Sequence, residues 1–170
     1  TTDVDNLEAT TTTGGIYVNN NGALTIGGIS AMVGVSITGA GSDIQITAAS
    51  PLTVSEDVTG PGNITLQATD DGGDDDDITV SANVQSTGGG LITFNAGADF
   101  SQSAGTISTT GNVDINADYD GSGVGAISQT GGNITAATLY ADAPGAITLT
   151  SATNDATNLN AHSITSGDIQ

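Results

Sequence analysis

Two acidic segments hold the side chains best suited to chemistry. In Asp118-Tyr119-Asp120-Gly121-Ser122-Gly123, two carboxylates flank a tyrosine and a turn glycine follows. Calcium gathers several oxygens around a tight bend, and Asp-x-Asp-Gly opens many such loops. The distal glutamate of an EF-hand loop is missing, because the position that would carry it is Gln129. The same hexapeptide serves as a solvated turn between Ile115 and Ile127, and the turn reading leads. The second segment places Asp70, Asp71, Asp74, Asp75, Asp76 and Asp77 within eight positions. Crowded like charges repel, and a bound cation such as calcium relieves the repulsion. Such a block reads first as a solvated loop that attracts cations without caging one.

Other chemistry finds little support. His162 is the sole histidine and there is no cysteine, so neither a transition-metal cluster nor a Ser-His-Asp triad is indicated. With no lysine, a Lys-Asn isopeptide crosslink is impossible. Glycoside cleavage needs only two carboxylates, but no Lys or Arg is present to hold an anionic sugar. Asp114, at a strand centre where Thr is usual, reads as an outward solvated residue. The expectation is a protein that is not an enzyme and requires no cofactor, with Ca²⁺ as an optional ligand.

Charge supports this. The chain of 170 residues has 19 carboxylates and no Lys or Arg, for a formal net charge of −19. No salt bridge to Lys or Arg can form, so the acids must be solvated, hydrogen-bonded or held by cations. Nucleic acid and anionic membranes are excluded as partners, since both are bound through Lys and Arg, and no transmembrane run is present.

The elements that position these residues are short strands. Leu24, Ile44, Ile64, Val84, Ile107, Ile127, Ile147 and Ile169 recur at intervals of 20 to 23 residues. Between them falls a second series of Val35, Leu52, Ile78, Ile92, Val113, Ile134 and either Leu159 or Ile164. A fixed period of this size marks a stacked-repeat architecture. Triplets such as Leu24-Thr25-Ile26, Leu52-Thr53-Val54 and Ile78-Thr79-Val80 alternate apolar and polar side chains, which is strand periodicity. Outer residues point inward and the central residue, usually Thr, points out. Gly-Asn, Gly-Gly and Pro-Gly pairs between triplets suit tight corners. Five aromatic residues are few for a globular core but sufficient for a narrow bore filled with Ile, Val, Leu and Ala.

The reading is all-β: a parallel β-helix (β-solenoid) of about eight coils of roughly 20 residues. At about 4.8 Å per stacked strand it forms a rod on the order of 40 Å. Residues 1–13 read as a polar lead-in and 14–170 as a single solenoid domain, with an acidic loop excursion over 70–77. Start and end both fall in repeat-like sequence, as expected of a mid-protein segment or a processed product. An ice-binding face is disfavoured, because the outward Thr of the strand triplets forms a ladder one residue wide, which high β-propensity explains.

The cassette Gly62-Asn63-Ile64-Thr65-Leu66, with Gly111-Asn112-Val113-Asp114-Ile115 and Gly132-Asn133-Ile134-Thr135, resembles the repeats of filamentous-haemagglutinin-like proteins. So does the run from Ile78 to Gly89. The resemblance implies a right-handed coil, a cell-surface or secreted location and an adhesive or scaffolding role. The Asn-Pro-Asn-type motif of that family's secretion domain is not found, so the segment reads as shaft. Expected partners are neighbouring repeats or identical subunits end to end, and a carbohydrate or host cell-surface receptor. A calcium-dependent carbohydrate- or receptor-binding module is the alternative function.

Overall fold

The computed structural model describes residues 1–69, 75–123, 125–164 and 167–170. Among them lie nineteen strands and no helix. Each circuit of the chain contributes one strand to each of three sets. The first comprises β1 (Asn6–Leu7), β4 (Leu24–Ile26), β7 (Leu52–Val54), β10 (Ile78–Val80), β13 (Phe100–Gln102), β16 (Ile127–Gln129) and β18 (Ile147–Leu149), paired in that order. The second runs through β2 (Ala9–Thr11), β5 (Val35–Ile37), β8 (Val58–Gly60), β11 (Val84–Ser86) and β14 (Thr106–Ser108). The third is β3 (Ile16–Asn20), β6 (Ile44–Ala48), β9 (Ile64–Ala68), β12 (Ile92–Ala96) and β15 (Asn112–Asn116). The long β17 (Asn133–Ala143) joins the last two sets. Its residues 133–135 pair with β14 and 138–142 with β15, and β19 (Asp155–Ser163) pairs along its length. All these pairings are parallel, so the architecture is an all-β, solenoid-like stack of parallel strands.

The alternation read from the triplets holds. Leu24-Thr25-Ile26, Leu52-Thr53-Val54 and Ile78-Thr79-Val80 each bury both outer residues and leave the centre half-exposed. In-register pairing then piles like on like. Leu24, Leu52, Ile78, Phe100, Ile127 and Ile147 form one buried column. Ile16, Ile44, Ile64, Ile92, Val113 and Leu139 form another. Each such side chain contributes about 1.5–3 kcal/mol by leaving water. Phe94 on the third face meets Phe100 on the first, ring centroids 5.0 Å apart and tilted by 58°, across the bore.

The ladder from Leu24 to Ile169 does not climb one face. Leu24, Ile127 and Ile147 belong to the first set, Ile44 and Ile64 to the third, and Val84 and Ile107 flank one another in the second. One level up, Leu24 meets Leu52, 28 positions on, whereas Ile127 meets Ile147, 20 positions on. Triplets on all three faces look alike, so a regular spacing in sequence hops between faces. Asn6–Leu7 and Ala9–Thr11, within the polar opening, already pair with β4 and β5.

Two polar devices hold the stack. At its corners, an Asp or Asn directly before a strand accepts the backbone N–H of the residue at the equivalent place one level up. Asp43 Oδ1 accepts from Asn63 N and Asn63 Oδ1 from Leu91 N, at 2.7 and 2.9 Å. Asp57 Oδ1 accepts from Asn83 N and Asn83 Oδ1 from Thr106 N, at 3.0 and 2.9 Å. Asp77 Oδ1 accepts from Asp99 N and Asp99 Oδ1 from Ala126 N, at 2.9 and 2.7 Å. Inside, the column Ile26, Val54, Val80 continues into Gln102 and Gln129. Gln129 Nε2 donates to Gln102 Oε1 (2.9 Å) and to Asn154 Oδ1 (3.0 Å), while Asn154 Nδ2 donates back to Gln129 Oε1 (2.7 Å). The two buried glutamines are thus satisfied with help from the half-buried Asn154, as burial demands. One corner requires glycine outright. Gly105 has φ 72°, and a Cβ there would strike the carbonyl of Ala82.

Candidate functional site

The third face carries the most varied outward chemistry, because its strands are five residues long and alternate more than one position away from the core, although Asn95 is only 7% exposed and accepts from Asn116 Nδ2 at 2.9 Å. Register aligns these into two columns. Tyr17, Gln45, Thr65, Thr93, Asp114, Tyr140 and Asn160 form the first. Asn19, Thr47, Gln67, Asn95, Asn116, Asp142 and His162 form the second.

At the last three levels the columns border an open depression of about 440 Å³, lined by Asp114, Asn116, Tyr140, Asp142, Asn160 and His162 with Ala141 between them. Asp114 lies beside Tyr140, and Asp142 is flanked by Asn116 below and His162 above. His162 Nδ1 stands 3.5 Å from Asp142 Oδ1, with both side chains at least half exposed. Asp142 Oδ1 itself is shielded from water and accepts no hydrogen bond among the described residues. Burial, then the charge of Asp142, push the Asp114 carboxyl above its ordinary value of 3.8, against a hydrogen bond from Asn116 that lowers it. Asp114 is therefore half-buried and repelled by its neighbour, not the freely solvated residue its sequence position implies. Two carboxylates face one hollow, and no Lys or Arg exists anywhere to neutralise them.

The residues singled out from sequence lie elsewhere. Asp118 has a left-handed φ of 59° and turns its carboxylate onto its own loop. Its Oδ1 accepts from Ser122 Oγ (2.8 Å) and Gly123 N (2.7 Å), and Asp120 Oδ1 accepts from Ser122 N (3.1 Å). The loop's acids thus hold the loop shut. Asp70, Asp71 and Asp74 fall outside the described residues. Asp75, Asp76 and Asp77 enter the stack: their carbonyls accept from Ser50 Oγ, Ala98 N and Leu52 N at 3.0, 3.0 and 2.9 Å. Asp76 is only 1% exposed, and its Oδ1 has no partner among the described residues. Burial foremost, with repulsion from Asp99, Asp75 and Asp76, pushes the Asp77 carboxyl upward. Among the described residues, no three His, Asp or Glu side chains are grouped to hold a metal ion.

Sequence reasoning missed the pairing of Asp114 with Asp142, which are separated by a loop and a corner. The signal present was local: two acids at outward positions of strands, in a chain that favours Thr there. It also missed the corner acceptors, whose mark is an Asp or Asn immediately before the first apolar residue of a triplet, as at Asp43-Ile44, Asp57-Val58 and Asp99-Phe100.

Comparison with protein-family models, with curated proteins and with solved structures finds no match to this chain.

Proposed function

We propose that this chain is a shaft segment of an exported bacterial surface protein or extracellular fibre, of the filamentous-haemagglutinin-like kind, and that it performs no catalysis. In this reading the coil is right-handed and has about eight levels, the seven strands of the first face with the Ile147–Ile169 bridge above them, for a stack on the order of 40 Å. One observation carries it: among the described residues the parallel ladder runs from first strand to last, and the edge strand β19 pairs with β17 alone. At the upper end Leu159, Ile164 and Ile169 are 57%, 60% and 51% exposed, although Leu159 and Ile169 continue buried columns. Unpaired strand edges template further pairing, and solenoids without polar caps associate end to end. The natural occupant of that edge is another coil, from neighbouring repeats or from an identical subunit. Electron microscopy with sedimentation velocity across a concentration series tests this. Lengthening rods support end-to-end stacking; short particles of fixed size at every concentration remove it.

The second reading is a calcium-dependent carbohydrate- or receptor-binding module at the cell surface. What favours it is Asp76, buried beside other acids with a carboxylate oxygen that has no partner among the described residues. Calorimetric titration with Ca²⁺, and melting with and without chelator, decide it. Neither heat nor a melting shift would retire calcium.

A further inference from the structure

We propose that the loop 27–34, near the lower end of the stack, is the docking loop by which one copy of the chain seats on the upper end of the next. The inference rests on the shaft reading and names the contact that orders its subunits.

The loop joins β4 to β5 with the sequence Gly27-Gly28-Ile29-Ser30-Ala31-Met32-Val33-Gly34 and holds the chain's one methionine. Ile29, Met32 and Val33 are 58%, 41% and 61% exposed. Such a cluster on a slack loop would mean little, but this loop is braced. Elsewhere Asp and Asn hold the corners; here both of the chain's glutamates, with their longer reach, hold one loop. Glu56, between β7 and β8, clips its two ends: Oε1 accepts from Gly28 N (3.1 Å) and Oε2 from Gly34 N (2.7 Å). Glu8, between β1 and β2, holds it from the level below: Oε1 accepts from Ile29 N (2.8 Å) and Ser30 N (3.0 Å), and Oε2 from Ser30 Oγ (2.6 Å). Ser30 Oγ in turn accepts from Met32 N at 3.0 Å. Gly34 has φ 58°, and a Cβ there would strike the carbonyl of Asp57. A loop fixed in advance loses little freedom on binding, and an exposed apolar cluster marks a contact surface.

A second copy is the occupant that fits. Leu159 and Ile169, which continue buried columns, lie with Ile164 at the opposite end of the stack and are equally exposed. One flat partner, a membrane included, cannot cover both ends, whereas the upper end of one copy and the lower end of the next cover each other. The columns agree. Leu159 tops the column that starts at Ile16, and Ala161 the column that starts at Val18. A copy seated above therefore continues both. Glu8 draws the loop toward the lower rim, which brings its apolar side chains to the joint. Contact between unlike ends does not close on itself, which is the geometry of a fibre. Acids stand at both ends, Asp3 and Asp5 below, Asp155 and Asp168 above, so apolar contact drives the union and salt assists it.

The test is sedimentation velocity with electron microscopy of the intact chain at high NaCl. The parent lengthens into rods as its concentration rises. Ile29→Ser/Met32→Ser/Val33→Ser stays a single particle, as does Leu159→Asp/Ile164→Asp. Leu91→Ser, which removes an exposed leucine midway along the stack, assembles like the parent. Mixed, the two non-assembling variants form one-to-one pairs and nothing longer, because each keeps the end the other has lost. All the substituted side chains are exposed, and thermal melting verifies that each variant is folded. A further readout needs no variant: peroxide oxidises Met32, followed by mass, about tenfold more slowly in rods than in the dispersed chain. Rods formed equally by the loop variant, a mixture that does not pair, or Met32 oxidised as fast in rods overturns the docking loop and leaves the shaft reading standing. A parent chain that stays one short particle at every concentration overturns both.

Discussion

At single residues, the acids of this protein hold the backbone, strain the fold or, at Asp77, do both. Asp43, Asp57, Asp77 and Asp99 each accept an N–H from the next level, which is how a chain without Lys or Arg makes structural use of carboxylates. Asp99→Ala leaves the Ala126 N–H without its 2.7 Å partner and is expected to cost about 1 kcal/mol in urea unfolding. Asp77 and Asp114 are the strained pair. Their folded-state carboxyls titrate above the ordinary 3.8, so the folded protein holds these protons more tightly than the unfolded chain does. Stability from that source is complete below pH 3.8 and is lost as pH rises through the raised values. Asp114→Asn should therefore raise the melting temperature at neutral pH, and the gain should vanish at pH values where the parent is protonated. A variant no more stable than the parent at neutral pH contradicts this.

Among strands, like side chains pile into columns, and exceptions to the pattern are where packing is most exacting. Gln102 and Gln129 replace aliphatic residues in one column and survive because Asn154 and the carbonyls of Gly105 and Asn133 complete their hydrogen bonds. Gln129→Leu matches the column's apolar pattern but takes the partner from Gln102 Oε1 and from Asn154 Nδ2. It is expected to destabilise by about 1–3 kcal/mol, measured by chemical denaturation. Had aliphatic character alone governed the column, the change would stabilise. On the first face, Thr25, Thr53, Thr79, Ser101, Ser128 and Thr148 align as one outward row of hydroxyls, with Ser101 Oγ 3.4 Å from Thr79 Oγ1. The outward hydroxyl at the centre of a triplet was legible in sequence; that these six share one face was not.

For the molecule as a whole, one sign of charge is spread over a thin stack. Stability comes from nearest-neighbour contacts between levels, and a net charge of −19 opposes it throughout. Added NaCl shortens the reach of that repulsion, so the melting temperature should climb with salt, and with CaCl₂ as well. A flat or falling salt dependence in differential scanning calorimetry would show that the acids are already neutralised locally.

Alternation of apolar and polar residues with period two was enough to establish strands, their inward and outward faces and the absence of helix, because a side chain's direction on a strand follows from backbone geometry alone. The lack of Lys and Arg likewise settled that no such ion pair could brace the fold. Which triplet rests on which was another matter. Near-identical triplets recur three times per circuit, and connections of unequal length shift the level spacing between 19 and 28 residues. That register, set by how corners close in three dimensions, is what brought Asp114 alongside Asp142 and His162 and left Asp118 bonded to its own loop.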